Sequence, residues 1–171
     1  AVVTFESPLL LPKGNIYQLV VPEGVITRED NPNISNKELT VEFNVPANLG
    51  NARPSIEEGS SIEYAGRIGF YFGIETAPVE NGKAILLREG IPVREYVCDV
   101  SWDWNLGYAG IDFGETIHFE KGIKYSIKIP EGNVSALYRP DIVNKEAEDH
   151  FIGRYEEPVK PIQYVSVSYT Q

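Results

Sequence analysis

The sequence has little cysteine, few histidines and no long apolar run, and each scarcity excludes a class of protein. A single cysteine, Cys98, excludes an internal disulfide and the paired thiolates of structural zinc sites. No apolar stretch approaches the roughly 18 residues of a membrane-spanning helix, so no membrane insertion is expected. The only histidines, His118 and His150, stand far apart, with no spacing typical of a metal site or a catalytic triad. We therefore expect no metal and no cofactor, although adventitious calcium at an acidic loop stays open.

Basic residues are also scarce relative to acidic ones. The chain has 15 Lys and Arg against 25 Asp and Glu, a formal charge of -10 and a pI near 4.7. A surface this acidic repels phosphate backbones and anionic lipids, so nucleic-acid binding is not expected. The apolar fraction of 42% over 171 residues is enough for a core and argues against disorder.

An internal repeat is the most specific signal in the sequence. Residues 1–43 align without a gap on residues 109–151, an offset of 108, and 14 of the 43 positions are identical. Composition alone would give about three identities. We call these stretches the first and second segments. The identities include Lys13, Gly14, Tyr17, Pro22, Glu23, Gly24, Asn36, Lys37, Glu38 and Phe43. The pattern indicates duplication of a structural unit.

Each segment begins with a strand pattern. Residues 124–129 alternate between apolar and polar types, which predicts a strand with one buried and one wet face. Residues 16–21 keep the apolar set, but their outer positions are Ile16, Gln18 and Val20, which are less polar. We therefore predict that this outer face is covered, either by the rest of the chain or by a partner.

The middle of the chain also alternates. Strands are predicted around 68–74, along one long stretch 96–104 and in the returning stretch 109–113, and a closing strand is predicted over 162–169. The pair Asn81-Gly82 is a hairpin-turn signal. No stretch shows sustained helical periodicity. Many short strands with regular turns predict an all-β sandwich.

The repeated motif resembles a known family. A Gly-x-x-Tyr strand leads to Pro and Gly, then to a loop with Asn, then to a Phe strand. The second segment has Gly122, Tyr125, Pro130, Gly132, Asn144 and Phe151 in this order, and the first has Gly14, Tyr17, Pro22, Gly24, Asn36 and Phe43. This resembles the late strands of bacterial Ig-like domains.

The resemblance implies an Ig-like antiparallel β-sandwich containing the internal repeat. We expect residues 1–50 to form a half-repeat packed on the rest, and 51–171 to form a complete Ig-like sandwich. The family also implies an extracellular or cell-surface location in a larger bacterial protein, as a spacer, adhesive or glycan-associated module. The first segment departs from the pattern, because it lacks the early strands of such a domain.

Aromatic residues flank one predicted turn. Sugar rings stack on exposed aromatic faces, so Trp102, Trp104 and Tyr108 are candidate ligand-binding residues. Asp103 and Asn105 are candidates for hydrogen bonds to sugar hydroxyls. The alternative is that both tryptophans belong to the core, because they continue the apolar face of their strand.

No catalytic constellation stands out. Several carboxylates could form a glycosidase pair, but nothing in the pattern fixes two of them across a cleft. These are Glu57, Glu58, Asp112, Glu115 and Glu120. We therefore expect a non-catalytic extracellular module that binds a glycan or a surface protein. The alternative is a structural or adhesive subunit, spacer or pilin-like, completed by strands from a partner.

Overall fold

The computed structural model describes residues 2–103, 106–163 and 166–171, and only the backbone of Trp102 and Asp103. These residues contain no helix, and therefore no helix long and apolar enough to cross a membrane. Their strands are β1 (Asn15–Val21), β2 (Leu39–Val45), β3 (Arg53–Pro54), β4 (Ser61–Ile62), β5 (Tyr64–Phe72), β6 (Thr76–Pro78), β7 (Lys83–Arg88), β8 (Ile91–Val97), β9 (Asp99–Asp103), β10 (Leu106–His118), β11 (Lys124–Ile129), β12 (Val134–Ala136), β13 (Arg139–Val143) and β14 (Ala147–Gly153).

Two sheets form the main layers. One has the order β4-β14-β11-β7-β8 and the other the order β3-β5-β10-β9. A small sheet, β13-β12-β6, adjoins them, while β1 and β2 form a separate two-stranded sheet. Apart from the parallel β4–β14 contact, the paired strands are antiparallel. The all-β, sandwich-like character predicted from the alternation is confirmed.

The core lies between the two main sheets. Its most buried apolar side chains come from both layers and belong to one hydrophobic cluster. They include Ile68, Phe70, Phe72, Ile111, Phe119, Ile127, Ile129 and Phe151. The apolar positions of 68–72 and 109–111 are therefore buried as their alternation predicts, because burial on one face of a strand has a period of two residues.

The predicted long strand over 96–104 is wrong in one respect. The strand is interrupted at Cys98, where the chain crosses from one main sheet to the other. β8 therefore lies at the edge of one sheet and β9 at the edge of the other. Cys98 is buried, and its backbone N–H donates to the carbonyl of Gly82 rather than to a strand neighbour. The predicted turn at Asn81-Gly82 does form, with a φ of 57° at Asn81 and a hydrogen bond from the Gly82 N–H to Val79, but it is not a hairpin turn, because β6 and β7 lie in different sheets. The hairpin turn joining β7 to β8 is Glu89-Gly90, whose φ angles are 50° and 77°.

The predicted closing strand over 162–169 does not form in its described residues, 162–163 and 166–169. Side chains there extend into solvent: Ile162 is 98% exposed and Tyr169 is 90% exposed. The two remaining positions, Tyr164 and Val165, lie outside the described residues. Alternation alone does not make a strand, since the backbone also needs a neighbouring strand to hydrogen-bond.

The two segments share their strand pairing. In β1 and β2, Tyr17 is paired with Phe43 and their rings stack, with centroids 5.9 Å apart and planes 26° apart. In β11 and β14, Tyr125 is paired with Phe151, with centroids 5.8 Å apart and planes 17° apart. Each of these four residues lies 108 positions from its counterpart.

The loops between these strands also correspond. Asn36 Nδ2 donates to the carbonyls of Pro22 and Lys37, and its Oδ1 accepts from the N–H of Ile26. Asn144, which is fully buried, repeats the pattern with the residues 108 positions later, Pro130, Lys145 and Val134. The glycines that precede β1 and β11 also have nearly the same φ, 78° at Gly14 and 79° at Gly122. A left-handed φ of this kind favours glycine.

Candidate functional site: the open β1–β2 hairpin

The hairpin formed by β1 and β2 is a sheet separate from the two main layers. Within the described part of the chain, these strands hydrogen-bond only to each other. Three contacts tie the flanking residues to the second segment. The Arg139 guanidinium donates to the Leu11 carbonyl at 2.9 Å, Lys13 Nζ donates to the Asp141 carbonyl at 2.5 Å, and the Leu49 N–H donates to Val143 at 3.1 Å. The hairpin is therefore attached by its base.

One face of the hairpin has the composition of a core face but is only partly covered. In the second segment the equivalent side chains pack against the β5–β10 sheet, and none is more than 8% exposed. These are Tyr125, Ile127, Ile129, Ala147, Asp149 and Phe151. In the hairpin, Val41 and Phe43 of β2 are 57% and 40% exposed, whereas Tyr17, Leu19 and Val21 of β1 are half-buried. The same face is thus buried in the second segment and only partly covered in the first.

The opposite face of β1 is also apolar and open. Ile16 is 68% exposed and Val20 is 47% exposed. We predicted that this face is covered by the rest of the chain or by a partner. The described part of the chain does not cover it. The other face of β1 is half-buried, so the exposed apolar side chains of this strand are concentrated on one face, and a cluster of this kind is typical of a contact surface.

The free edge of β1 is the second notable feature. Its counterpart β11 has β14 on one side and β7 on the other, with Ile127 opposite Leu86. No described strand takes the β7 position beside β1. The sequence of β1, NIYQLVV, holds no charged residue, no proline and no glycine. Natural edge strands usually carry such residues, because they prevent pairing with other chains.

A comparison within the molecule supports this interpretation. Strand β8 is an edge strand of a main sheet and also exposes apolar side chains, such as Val97. However, β8 contains Pro92, Arg94 and Glu95, and its pairing with β7 shifts register. Charge, proline and irregular register all disfavour pairing with another strand. β8 is therefore protected in the ways in which β1 is not.

The predicted aromatic site is only partly described. Trp104 and Asn105 lie outside the described residues. Trp102 and Asp103 are in β9, where their backbones pair with Gly107 and Leu106 of β10, and their side chains are not described. Tyr108 is 4% exposed, so its ring offers no platform to a ligand.

The environment of Tyr108 explains its burial. The Arg67 guanidinium carbon lies 3.9 Å from the centroid of the Tyr108 ring. The hydroxyl lies over the backbones of Gly69 and Gly110, where a Cβ atom at either glycine would come within 2.7 Å of it. Two glycines opposite each other in β5 and β10 thus make the space that the tyrosine fills.

A buried carboxyl is a feature that sequence reasoning missed. Asp149 is fully buried, and in its ionised form neither carboxyl oxygen accepts a hydrogen bond from a described residue. Burial, together with the adjacent Glu58 carboxyl, raises the pKa of Asp149 to about 7. Hydrogen bonding from Asp149 and from the His150 N–H keeps the pKa of Glu58 below its ordinary value. The signal was available: a charged residue occupies a core position of the 147–151 alternation.

This acidic pair does not resemble a catalytic site. Glu58 is exposed and binds His150, with Oε1 2.9 Å from Nδ1 and Oε2 accepting from the backbone N–H at 3.0 Å. Asp149 faces the core, out of reach of a substrate. Across residues 2–103, 106–163 and 166–171, no group of three or more His, Cys, Asp or Glu side chains is placed to hold a metal ion.

Comparisons with protein families, with characterised proteins and with solved structures found no match for this chain. The resemblance to bacterial Ig-like domains therefore stays a prediction. The geometry of the hairpin and its counterpart in the second segment provides the remaining basis for assigning a function.

Proposed function

We propose that this chain is a non-catalytic structural or adhesive module that assembles by adding a partner's strand to its β1–β2 hairpin. In this proposal the sandwich is Ig-like, and the first segment is a partial copy of the unit completed in the second. The location that suits such a module is the cell surface or the extracellular medium, within a larger assembly. Partners are proteins that contribute strands, rather than nucleic acids or membranes.

One observation carries the proposal. The apolar face and free edge of the hairpin correspond to surfaces that the second segment buries beneath β5, β10 and β7. A strand added beside β1 would satisfy its unpaired backbone groups and place its own side chains next to the apolar side chains of β1. Backbone hydrogen bonds would provide affinity, and alternate side chains would provide specificity.

The glycan-binding alternative stays a prediction. Two of its five candidate residues lie outside the described part, the side chains of two others are not described, and Tyr108 is buried. No described contact favours it over strand addition. The hairpin, in contrast, is described in full.

The experiment that tests the proposal measures strand addition directly. Fluorescent ten-residue peptides with uncharged, alternating sequences are titrated against the chain, and binding is followed by anisotropy. Binding that is lost in Ile16→Lys is expected, since a charged side chain on an edge strand disfavours pairing. The matched control is Val97→Lys on the protected edge strand β8, which should bind as the wild type does. Equal binding by both variants, or no binding by a wild type that is monomeric at the concentration used, would overturn the proposal.

A further inference from the structure

We propose that the partner strand is β1 of a second molecule of this chain, paired antiparallel about a two-fold axis at Gln18. This inference rests on the proposed function, because it names the partner that adds to the hairpin. The result would be a continuous four-stranded sheet in the order β2-β1-β1-β2. The other occupants of the edge are strands of different proteins, and the experiments below separate them from this one.

The sequence of β1 is complementary to itself. In an antiparallel pair centred on Gln18, Ile16 lies opposite Val20 of the second molecule, and Tyr17 lies opposite its Leu19. The four central apolar residues therefore meet apolar residues, Gln18 meets its own counterpart, and only the end pair sets Val21 against the polar Asn15. Cross-strand pairs of this kind are the units that stabilise a sheet.

The register follows from the strand itself. β1 runs for seven residues, Asn15–Val21, so a pairing centred on Gln18 uses its full length. A shift by one residue would pair residues whose side chains point to opposite faces, so that the face with Tyr17 and Leu19 would adjoin the face with Ile16 and Val20 of the second molecule. A shift by two would leave strand ends unpaired. The centred register is therefore the one that satisfies most backbone groups and keeps both apolar faces continuous.

The exposed apolar surface supplies the driving force. Ile16 and Val20 are 68% and 47% exposed. Ile16 of each molecule would pack against Val20 of the other, which gives two such contacts related by the axis. On the other face, Tyr17 and Leu19 would flank each other across the axis in the same way, while Val41 and Phe43 of the outer strand β2 are not covered by the pairing. Like patches on both molecules form an isologous contact, which closes at a dimer.

Charge does not oppose the pairing at the strand itself. β1 carries none, and the one charged residue of the hairpin strands, Glu42, lies on β2, a strand away from the axis. The whole molecule has a formal charge of -10, which repels a second copy at long range. Association is therefore expected to strengthen as salt is added, since salt screens that repulsion.

The decisive experiment exchanges charges across the proposed axis. Sedimentation velocity is measured for the wild type, for Ile16→Lys/Val20→Lys and for Ile16→Lys/Val20→Glu. In the centred register, residue 16 faces residue 20 of the other molecule. The first variant thus sets lysine against lysine, whereas the second sets lysine against glutamate. Both positions are exposed, so each variant is expected to keep its fold, and circular dichroism checks this.

We expect the wild type to dimerise and the double-lysine variant to have a dimer affinity at least about tenfold lower. The lysine–glutamate variant should recover most of the wild-type affinity. A monomeric wild type overturns the inference, and so does equal weakening of both variants. If the wild type is monomeric but still binds alternating peptides at β1, the proposed function stands and only the identity of the partner fails. If it does neither, both proposals fail.

A cross-link locates the axis independently. Gln18→Cys would place two thiols opposite each other, within the Cα separation of about 4.4–6.8 Å that a disulfide needs. Mild oxidation should therefore give a disulfide-linked dimer in which the two copies are joined at residue 18. The matched control is Thr40→Cys on β2, which should stay unlinked. Equal cross-linking of both variants would place the contact elsewhere and overturn the register.

Discussion

Asp149 lies directly opposite Ile127 in the pairing of β14 with β11, and its side chain is fully buried in the sandwich core. In the hairpin, the equivalent pair is Val41 opposite Leu19. An acid therefore occupies a position where the other segment has an aliphatic residue. Ionised, this carboxyl finds no donor among the described groups, and protonated it can donate to Glu58. The folded state thus favours the protonated form.

The first prediction concerns pH. Because the pKa of Asp149 is raised from 3.8 to about 7, the folded protein holds a proton that the unfolded chain releases between these values. The free energy of unfolding of the wild type should therefore fall as pH rises from about 4 to about 7. Asp149→Asn removes the ionisation and should stabilise the protein at pH 8 by about 1–3 kcal/mol, with a smaller gain at pH 5 and none near pH 3. Urea unfolding at both pH values measures this.

A substitution at an exposed carboxylate provides the control. Glu115 of β10 is exposed and forms no ion pair with a described residue, and Glu115→Gln should leave the wild-type pH profile largely intact. A second variant, Asp149→Val, copies Val41 and should flatten the profile as Asp149→Asn does. An unchanged pH profile in both Asp149 variants would show that the carboxyl is not the origin of the effect.

The second prediction compares two equivalent asparagines. The Asn144 side chain is fully buried and makes four hydrogen bonds to backbone groups, which its loss would leave unsatisfied. Asn144→Ala should cost about 3 kcal/mol or more of stability, whereas Asn36→Ala in the more open first segment should cost about 1 kcal/mol. Urea unfolding of both variants tests the difference. Equal costs would contradict the difference in burial between the two loops.

Much of the fold could be predicted from alternation. Residues 68–72 and 124–129 show period-two patterns, and both are strands with the predicted faces buried. The switch of sheets at Cys98 could not be predicted, because the apolar alternation continues unbroken through it. The sheet that a strand joins depends on distant partners. The same reason explains the missing strand at 162–169, where the alternation is present but no described neighbour pairs with it.

Only part of the candidate site could be predicted from the sequence. The low polarity of Ile16, Gln18 and Val20 indicated a covered face, and the structure locates that face on an open hairpin. The sequence could not show that one edge of β1 is unpaired, because strand pairing depends on which other strands lie beside it. Tyr108 was proposed from its position beside a turn. Its burial depends on two glycines, Gly69 and Gly110, which lie 41 residues apart in the chain.

The third prediction concerns the thiol. Burial raises the pKa of Cys98 to about 12, and the thiolate is the form that reacts. Cys98 should therefore resist a chromogenic disulfide reagent in the native protein at pH 8, and react fully in denaturant. Absorbance of the released thiol measures both rates. Fast reaction of the native protein would show that the segment between β8 and β9 opens readily, and a Cys98→Ala variant gives the blank.

The fourth prediction concerns the hydroxyl of Tyr108. It is buried without a hydrogen-bond partner among the described residues, and burial raises its pKa above the ordinary range. A buried hydroxyl without a partner costs free energy, so its removal should not destabilise the fold. Tyr108→Phe should match the wild type within about 0.5 kcal/mol or exceed it by about 1 kcal/mol in urea unfolding.

The ring of Tyr108, in contrast to its hydroxyl, should be essential to the fold. It fills the space over Gly69 and Gly110 and packs against Arg67 and Tyr71. Tyr108→Ala should therefore cost about 3–5 kcal/mol, as large aromatic truncations in cores do. If Tyr108→Phe were as destabilising as Tyr108→Ala, the hydroxyl would have a partner in solution, such as a buried water, and the assignment of an unsatisfied group would be wrong. If Tyr108→Ala were harmless, the ring would lie at the surface, and its role as a ligand platform would regain support.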